Sequence, residues 1–374
     1  MVGITVWFWV CLKQAVVKAM ADGTREYSLL GRDGARAMTE GLAGARWYQT
    51  DIPRKQLAEL MQRRDGPAIR DTIILFTAMA ALGTTGAILF PSWLALPAFL
   101  AYGVLYGSAM DSRWHECGHK TAFNSRWLND VVYQIACFCM IRNPYSWRWS
   151  HARHHTDTII VGRDPEIQLM RPPAFLKWIV NFLGLIDVPA GIRRMFLNAS
   201  GRLDPQEASF IPEVDHPKVV RIARIWVLIY AGTIALAITI GSWVPILLVG
   251  TPRLYGAWHH VMTGMLQHGG LADNVVDHRL NSRTVYMNPI SRFIYWNMNY
   301  HVEHHMFPKV PFHALPKLHS LIKHDLPAPS PSIAAGFAEM WPALVRQLRN
   351  EDYCIRRELP ATAQPYREFT PGSG

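Results

Sequence analysis

The sequence is poor in charged residues and in cysteine. Asp, Glu, Lys and Arg make up 18% of the 374 residues, against roughly 25% in an ordinary soluble domain. Because half of the residues are hydrophobic, this deficit argues against a disordered chain, a collagen and a nucleic-acid-binding tail. The five cysteines are scattered and form no CxxC pair, which argues against a disulfide scaffold and a zinc ribbon. No flavin or nicotinamide fingerprint follows a strand either.

Charge is absent altogether from long apolar runs. Ile73–Phe90, Trp93–Met110 and Ile225–Pro252 contain no Asp, Glu, Lys or Arg, and their lengths approach or exceed the roughly 20 residues that cross a bilayer as a helix. They predict four transmembrane helices in two hairpins, at residues 72–90, 92–110, 219–240 and 243–262. The alternative is four buried helices of a large soluble bundle. Paired uncharged runs with almost no linker favour the membrane.

The distribution of Lys and Arg predicts the orientation of these helices. The turns at Pro91-Ser92 and Gly241-Ser242 carry no charge, whereas the segment between the hairpins carries many basic residues. By the positive-inside rule, both termini and that middle segment are cytoplasmic. The formal net charge of +10 then reflects this bias and attraction to anionic lipid headgroups. We expect an all-α integral membrane protein with a cytoplasmic helical cap.

The chain divides into three parts. Residues 1–70 form an N-terminal cytoplasmic or interfacial segment, residues 71–325 the membrane domain, and residues 326–374 a C-terminal cytoplasmic helix and tail. Val2–Leu12 is too short to span a membrane and has no preceding Lys or Arg, unlike a signal peptide. Met20 is the expected native initiator, which would make residues 1–19 non-native. The tail is expected to be helical around Ala335–Glu351 and disordered from Thr362.

Histidine is abundant, and eight of the 16 His residues fall in one HxxxH box and two HxxHH boxes. On a helix, residues three and four apart share a face, so each box presents its imidazoles in one direction. All three boxes lie on the cytoplasmic side of the predicted topology. The box residues are His115, His119, His151, His154, His155, His301, His304 and His305.

So many imidazoles converging on one place predict metal binding, because their lone pairs need partners. Eight ligands exceed the four to six positions of one ion, so two ions are implied. Imidazole suits zinc, copper, iron and nickel. Iron is favoured, since two redox ions can share the electrons needed to reduce dioxygen.

Three such boxes after hydrophobic hairpins resemble the membrane fatty-acid desaturase superfamily, whose members are non-haem di-iron proteins. The resemblance extends over roughly Ile73–His319. Within the superfamily, Arg46–Pro53 and Asn297–His305 most resemble the hydrocarbon oxygenase of bacterial rhizopine catabolism. The resemblance implies a multi-pass protein of the bacterial cytoplasmic (inner) membrane.

The resemblance also implies roles for residues. All eight box histidines would bind iron, and a ninth ligand is expected between the fourth span and the third box. His268 is the best candidate, with His259 and His260 as rivals. In the stearoyl-CoA branch of the superfamily, an asparagine one turn before the ninth histidine holds a metal-bound water. Gly264 stands at that position here, so this role is not carried over. Carboxylates should orient the ligands through their other ring nitrogen; the candidates are Asp111, Asp157, Asp164 and Glu303.

The implied chemistry is O2-dependent oxidation of an unactivated C–H bond. Hydroxylation or oxidative O-demethylation of an inositol derivative, in rhizopine catabolism, follows from the closer resemblance. A fatty-acyl lipid desaturase that introduces a C=C bond follows from the wider superfamily. Electrons would come from a ferredoxin or similar donor with its reductase, and the basic face fits an acidic donor. The same charges fit lipid headgroups equally well, and no nucleic-acid partner is needed.

Three features leave alternatives open. His115-Glu116-Cys117-Gly118-His119 also reads as HExxH, the zinc motif of a metalloprotease with Glu116 as general base; an intramembrane protease would leave the two HxxHH boxes without a role. A metal transporter or sensor would need more polar residues inside the spans. Arg253, the charge deep in the fourth span, either snorkels to the cytoplasm or faces a substrate cavity.

Overall fold

A computed structural model describes residues 25–371 of the chain. Within that range the regular structure is helical, and pairing between extended segments is limited to isolated bridges at Thr284–Tyr300 and Val285–Ser330. The predicted all-α class is therefore confirmed for this part of the chain. The predictions for Val2–Leu12 and Met20 lie outside the described residues.

The helices are short and numerous on the polar side and long in the apolar part. The α-helices are Arg32–Thr39, Arg54–Leu60, Asp65–Leu89, Leu96–Val104, Met110–Gly118, Arg126–Met140, Pro144–Thr156, Phe175–Asn181, Asp187–Ala199, Pro205–Ala208, His216–Thr239, Val244–Leu248, Pro252–Gly256, Trp258–His268, His278–Asn281, Pro289–Tyr295, His301–Met306, Leu315–Ile322 and Ile333–Gln347. Single 3-10 turns lie at Trp93–Ala95, Glu213–Asp215 and Lys323–Asp325, and a π-helical turn at Leu105–Ala109.

Three of the helical stretches in the described range are long and apolar enough to cross a membrane: Arg54–Leu89, Trp93–Gly118 and Glu213–Thr239. Large apolar side chains such as Ile88 and Ile238, each 75% exposed, point outward from them. So much exposed apolar surface needs a lipid environment. The protein is a membrane protein, and three of the four predicted spans coincide with candidate membrane helices.

The fourth predicted span, 243–262, is not one helix. It is divided into Val244–Leu248, Pro252–Gly256 and the start of Trp258–His268. Gly250 has a φ of +86°, a conformation that glycine adopts without strain, and Pro252 then starts a new helical turn. The predicted arrangement of four continuous spans in two hairpins is therefore not confirmed.

The broken segment packs unusually close to the second membrane helix. A Cβ added at Gly256 would lie 1.8 Å from the carbonyl oxygen of Gly103, so only glycine fits there. The Ser108 hydroxyl donates to the Gly256 carbonyl at 2.6 Å. This contact lies beside the π-helical turn Leu105–Ala109, directly before the first histidine box, and π turns are frequent at functional sites.

Buried Arg113 joins the first box to the region of the third. Its Nη1 donates to the carbonyls of Phe293 at 2.9 Å and Ile294 at 2.6 Å, and its guanidinium lies 4.8 Å from the Trp296 ring centroid. Charge-assisted hydrogen bonds of this kind are stronger than neutral ones. The end of the second membrane helix is thereby fixed against the segment that leads to His301.

The C-terminal part packs back onto the helical cap. The predicted helix is present as Ile333–Gln347. The expectation of disorder from Thr362 is not met, because buried Arg279 donates to the carbonyls of Gln364 and Pro365 at 3.0 and 2.9 Å. Arg279 also pairs with Asp277 and Asp325, so the tail is held by a buried charged network.

Candidate metal centre

Each histidine box lies on a short helix whose ends are locally defined. The first ends the second membrane helix, with His119 as the residue after Met110–Gly118. The second lies on Pro144–Thr156, whose N-cap Asn143 accepts from the Tyr145 backbone N–H at 3.1 Å. The third is the helix His301–Met306. Spacing of three and four residues places the imidazoles of each box on one face, as expected.

The structure gathers nine imidazoles into two adjacent groups. Within each group, one ring nitrogen of every histidine lies within 4.8 Å of those of the other members. The first cluster comprises His115, His119, His151, His155 and His304, and the second cluster comprises His154, His268, His301 and His305.

The ring nitrogens converge closely. The Nε2 atoms of His119 and His151 are 3.0 Å apart, and those of His304 and His155 are 3.1 Å apart. In the second cluster, the Nε2 atom of His301 lies 3.0 Å from that of His305 and 3.1 Å from that of His268. The clusters adjoin each other, since the rings of His155 and His305 are 4.6 Å apart.

The protonation of these side chains fits metal binding. Burial lowers the pKa of His155, His301 and His304 well below the usual value, and neighbouring imidazoles lower it further. The neutral imidazole is the form that binds metal. The Nδ1 atoms of these three rings are buried and have no hydrogen-bond partner. A donor set of this kind is consistent with a desaturase-type metal site.

Hydrogen bonds orient the second cluster. The Nδ1 of His154 donates to Asp164 Oδ2 at 2.8 Å, and the Nδ1 of His268 donates to the Asn281 carbonyl at 2.7 Å. His305 Nδ1 lies 3.3 Å from the Thr158 hydroxyl oxygen. Donation through Nδ1 leaves the Nε2 lone pair directed into the cluster.

The first cluster has one such contact, to a residue that the sequence did not reveal. His151 Nδ1 lies 3.1 Å from Glu166 Oε2, and Glu166 also accepts from the Ser150 hydroxyl at 2.9 Å. Burial raises the pKa of Glu166 to about 7, and the charge of Asp164 adds to that rise. The signal was available, because Glu166 follows Asp164 by two residues after the second box.

Of the four carboxylates predicted to orient ligands, only Asp164 contacts a box histidine by a hydrogen bond. Asp111 accepts from Arg142 at 2.7 Å and from the Trp114 indole. Asp157 pairs with Arg163 and Arg153. Glu303 accepts from His319 and from the Thr284 hydroxyl. Asp111, Asp157 and Glu303 make no hydrogen bond to a box histidine in the structure, because other donors, among them arginines for the two aspartates, occupy these carboxylates.

The two alternatives to His268 as the ninth metal ligand, His259 and His260, lie outside the clusters. His259 Nε2 is 3.2 Å from the Ser291 hydroxyl, and His260 Nδ1 contacts the Ala257 carbonyl at 2.7 Å. Neither belongs to a cluster, whereas His268 does. The helix Trp258–His268 directs its last residue, rather than its first turn, toward the third box.

A cavity of about 610 Å³ reaches both clusters. Its apolar wall includes Trp114, Val161, Leu169 and Met265, and Gly264 also faces it. A Cβ added at Gly264 would have no atom within 4 Å, so the glycine leaves open space. Charged side chains share the wall; they are Asp111, Arg142, Glu166, Arg171, Lys177, Asp187 and Asp273.

Arg253 matches neither of its two predicted roles. It is 1% exposed, so it does not snorkel to water, and it is absent from the cavity wall. Its Nη1 donates to the Gly107 carbonyl at 2.6 Å and lies 3.2 Å from His260 Nδ1. Its Nη2 lies 3.9 Å from Asp187. Arg253 therefore supports two cavity-lining residues, His260 and Asp187, from behind.

Glu116 does not occupy the position of a protease base. Its Oε1 accepts from the Thr121 hydroxyl at 2.6 Å and from the Phe312 backbone N–H at 3.1 Å. The side chain is completely buried and does not line the cavity. A general base must reach the reacting water, so the geometry counts against the HExxH interpretation.

Known proteins resemble this chain in its central part. A family model described as "Fatty acid desaturase" matches residues 91–336, well over half of the chain. An endoplasmic reticulum omega-6 fatty acid desaturase (isozyme 1) of Glycine max is 32% identical over 111 residues, which are 29% of this chain and 28% of that protein. A delta(12)-fatty-acid desaturase of Arabidopsis thaliana is 30% identical over 114 residues, 30% of each chain.

A bacterial relative shows the same extent of similarity. The sn-1 oleoyl-lipid 12-desaturase of Anabaena variabilis is 32% identical over 108 residues, 28% of this chain and 30% of that protein. In each of these three comparisons the aligned region spans less than a third of the relative's length.

Proposed function

The chain belongs to the fatty acid desaturase family of oxidoreductase enzymes, and we propose that it is a membrane-bound, O2-dependent di-iron oxidoreductase that oxidises an unactivated C–H bond. The observation that carries this proposal is the gathering of nine imidazoles, six of them buried and three partly buried, into two adjacent clusters. A single metal ion does not use so many ligands. A structural zinc site is closed and four-coordinate, so it would not need two adjacent clusters of four and five histidines.

Two iron ions bound by these residues would supply the reduction of O2. The protein's own groups prepare the site for them. Asp164 and the Asn281 carbonyl hold His154 and His268 in the tautomer whose Nε2 faces the cluster. Burial lowers the pKa of His155, His301 and His304 and so favours their neutral, metal-binding form. The cavity gives a substrate C–H bond a route to both clusters, and its shape sets which carbon comes near.

An acyl chain is the substrate class that the relatives favour, since the similar proteins are named as fatty-acid and acyl-lipid desaturases. The apolar wall formed by residues such as Val161, Leu169 and Met265 suits such a chain. Desaturation balances as R–CH2–CH2–R′ + O2 + 2 e⁻ + 2 H⁺ → R–CH=CH–R′ + 2 H2O. This reaction is the first candidate for the chain.

The charged part of the wall favours a second candidate, oxidation of a small polar compound. Asp111, Arg142, Glu166 and Asp187 line the same cavity, and a hydrocarbon gains nothing from polar groups that it must desolvate. Hydroxylation or O-demethylation of an inositol derivative, as the resemblance to the rhizopine oxygenase implies, uses such groups. Demethylation balances as R–O–CH3 + O2 + 2 e⁻ + 2 H⁺ → R–OH + HCHO + H2O.

The proposal includes a location and partners. We place the protein in the bacterial cytoplasmic (inner) membrane with both clusters on the cytoplasmic side, because of the distribution of Lys and Arg. Two external electrons are needed for each turnover. A ferredoxin or similar donor with its reductase would deliver them to the basic cytoplasmic face.

The test is anaerobic purification with metal analysis, followed by addition of ferredoxin, reductase, reductant and O2. Acyl lipid and an O-methylated inositol amine are supplied in parallel, and products are identified by mass spectrometry. Loss of two hydrogens from the lipid supports desaturation, whereas gain of one oxygen or loss of CH2 from the polar compound supports the second candidate. A His304→Ala variant is the inactive control. Absence of both products and of iron would refute the proposal.

Gly264→Leu separates the two substrates within the same assay. The Cβ of the added side chain would have no atom within 4 Å, and the side chain would narrow the cavity that Gly264 lines. Oxidation of a long acyl chain should fall strongly, while oxidation of a compact polar substrate should fall less. The iron content is expected to stay unchanged, which shows that the clusters remain intact.

A further inference from the structure

The segment Arg46–Pro53 connects the protein surface to both clusters. Partly exposed Trp47 stacks on His278, with ring centroids 4.2 Å apart and an angle of 5° between the rings. His278 is 2% exposed, and its ring centroid lies 5.0 Å from that of His305 in the second cluster. A continuous series of aromatic contacts therefore runs from the surface to a candidate iron ligand.

Trp47 also contacts the helix that carries the second box. Its indole N–H donates to the Thr156 carbonyl at 3.0 Å, and Thr156 directly follows His155 of the first cluster. The neighbouring Tyr48 backbone N–H donates to the Val276 carbonyl at 2.8 Å, which fixes the register of this segment against the one that bears His278. The stacked geometry is thus set by backbone contacts on both sides.

His278 has no other assigned purpose. It does not belong to either cluster, and its Nδ1 is buried without a hydrogen-bond partner. A buried imidazole with an unsatisfied nitrogen carries a free-energy cost, and an apolar ring of similar size would fill the same space. His278 instead lies between Trp47 and His305, where its ring continues the series of aromatic contacts, which an aliphatic side chain would interrupt.

Basic side chains outnumber acidic ones in the segment around Trp47, where Arg46, Arg54 and Lys55 are exposed together with Asp51. Arg153 and Arg163 share a single acidic partner, Asp157, beside Thr156. An excess of guanidinium groups attracts a partner with an acidic docking face and speeds its encounter. Trp47 is partly exposed and directly follows Arg46 in the chain.

We propose that the surface around Trp47 is the docking site of an acidic one-electron iron–sulfur carrier, and that Trp47 and His278 form the route by which electrons reach the clusters. This inference rests on the proposed function. In each step the reduced carrier would lose one electron, and a ferric ion bound by the second cluster would gain it; no bond is made or broken, and no proton moves. Two such steps supply the two electrons of one turnover.

The test compares two reductants on the iron-loaded, oxidised protein under anaerobic conditions. A plant-type [2Fe–2S] ferredoxin, reduced beforehand, must dock, whereas dithionite is a small molecule that needs no docking face. Stopped-flow absorbance and EPR follow the reduction of the iron without any turnover. Trp47→Leu should slow reduction by ferredoxin about tenfold or more, equivalent to about 1.4 kcal/mol in the barrier, and leave the iron content and the dithionite rate unchanged.

Matched variants sharpen the test. His278→Leu should reproduce the effect of Trp47→Leu, and Trp47→Phe should retain most of the rate because it keeps an aromatic ring on His278. Trp127→Leu, at a tryptophan that is 65% exposed on another helix, should have no effect. Arg46→Glu should slow reduction by ferredoxin at low salt and weaken its dependence on ionic strength.

Several results would overturn the inference. Equal slowing with both reductants, or loss of iron in Trp47→Leu, would make Trp47 a structural residue only. Unchanged reduction by ferredoxin in both Trp47→Leu and His278→Leu would exclude the route. Failure of ferredoxin to reduce the wild-type protein would exclude an acidic iron–sulfur carrier as the partner. Failure of the proposed function is recognised separately, by wild-type protein that binds no iron pair.

Discussion

The two clusters differ in how their imidazoles are held. In the second cluster, the outer nitrogens of His154, His268 and His305 contact Asp164, the Asn281 carbonyl and Thr158. In the first cluster, the Nδ1 atoms of His115, His155 and His304 are buried without a partner. Hydrogen bonds to the outer nitrogen fix ring orientation and raise ligand basicity. The second cluster is therefore the more preorganised, and the first depends more on helix geometry and packing.

The boxes are nevertheless divided between the clusters by one rule. In each HxxHH box, the two histidines four residues apart join one cluster and the middle histidine joins the other. His151 and His155 belong to the first cluster and His154 to the second, while His301 and His305 belong to the second and His304 to the first. Each box thus contributes to both sites, so the two sites are built together.

The largest expected effect is that of removing a middle histidine. His304→Ala removes a ligand from the first cluster, which has fewer orienting hydrogen bonds, and His154→Ala removes one from the second cluster. Both should abolish O2-dependent turnover, because both ions are needed, and His304→Ala should lose more iron from its own cluster. Metal analysis and product assay measure this. Exposed His324→Ala is the matched control, and retained turnover in either cluster variant would refute the division of roles.

The next effect concerns the two carboxylates that orient ligands. Asp164→Asn should weaken metal binding about 10- to 100-fold, the usual cost of losing such a partner. Glu166→Gln should cost less, since the contact of Glu166 with His151 is longer, 3.1 Å against 2.8 Å between Asp164 and His154, and holds one of five imidazoles rather than one of four. Competitive metal titration with a chelator gives both values. A larger loss for Glu166→Gln than for Asp164→Asn would reverse the comparison between the clusters.

A smaller effect is expected at Thr158. Thr158→Val keeps the shape of the side chain but removes the hydroxyl between the His154 carbonyl and His305. Loss of one such buried hydrogen bond should lower the free energy of unfolding by about 1 kcal/mol. Iron binding should persist, because His305 retains its Nε2. Thermal unfolding in detergent with metal analysis tests this, and complete loss of iron would show that Thr158 is essential to the second cluster.

The smallest effect is predicted for Glu116→Gln. Glu116 accepts hydrogen bonds from Thr121 and Phe312 and lies outside both clusters and the cavity. The variant should keep its iron and most of its oxidase turnover. Abolished turnover with intact iron would contradict this expectation. Peptide hydrolysis by the wild-type protein that Glu116→Gln abolishes would restore the HExxH protease interpretation, in which this carboxylate is the general base.

Sequence patterns predicted the histidine boxes because helical spacing alone brings residues at i, i+3 and i+4 to one face. They could not show that the middle histidine of each HxxHH box joins the opposite cluster, since this depends on how the two short helices cross. Closeness in sequence also suggested Asp111, Asp157 and Glu303 as partners of the box histidines. In the structure these carboxylates contact Arg142, Arg163 and His319 instead, a choice that depends on the packing of the side chains.

The fourth predicted span also separates what a local sequence pattern predicts from what tertiary contacts decide. Its apolar composition indicated a membrane helix, and Gly250 and Pro252 were visible as possible breaks. The closeness of Gly256 to Gly103 is a tertiary contact that no local pattern reveals. The contacts of Arg279 with the C-terminal carbonyls likewise explain why a Pro-rich tail that resembles a disordered segment is ordered.

The central claim is that the two clusters hold a pair of iron ions. The most direct measurement is the iron content of anaerobically purified, active protein, combined with Mössbauer spectroscopy of the ⁵⁷Fe-enriched oxidised form. We expect two irons per chain with the signature of a coupled ferric pair, and loss of that coupling in both His154→Ala and His304→Ala. Active protein that holds a single metal ion, or zinc in place of iron, would contradict it.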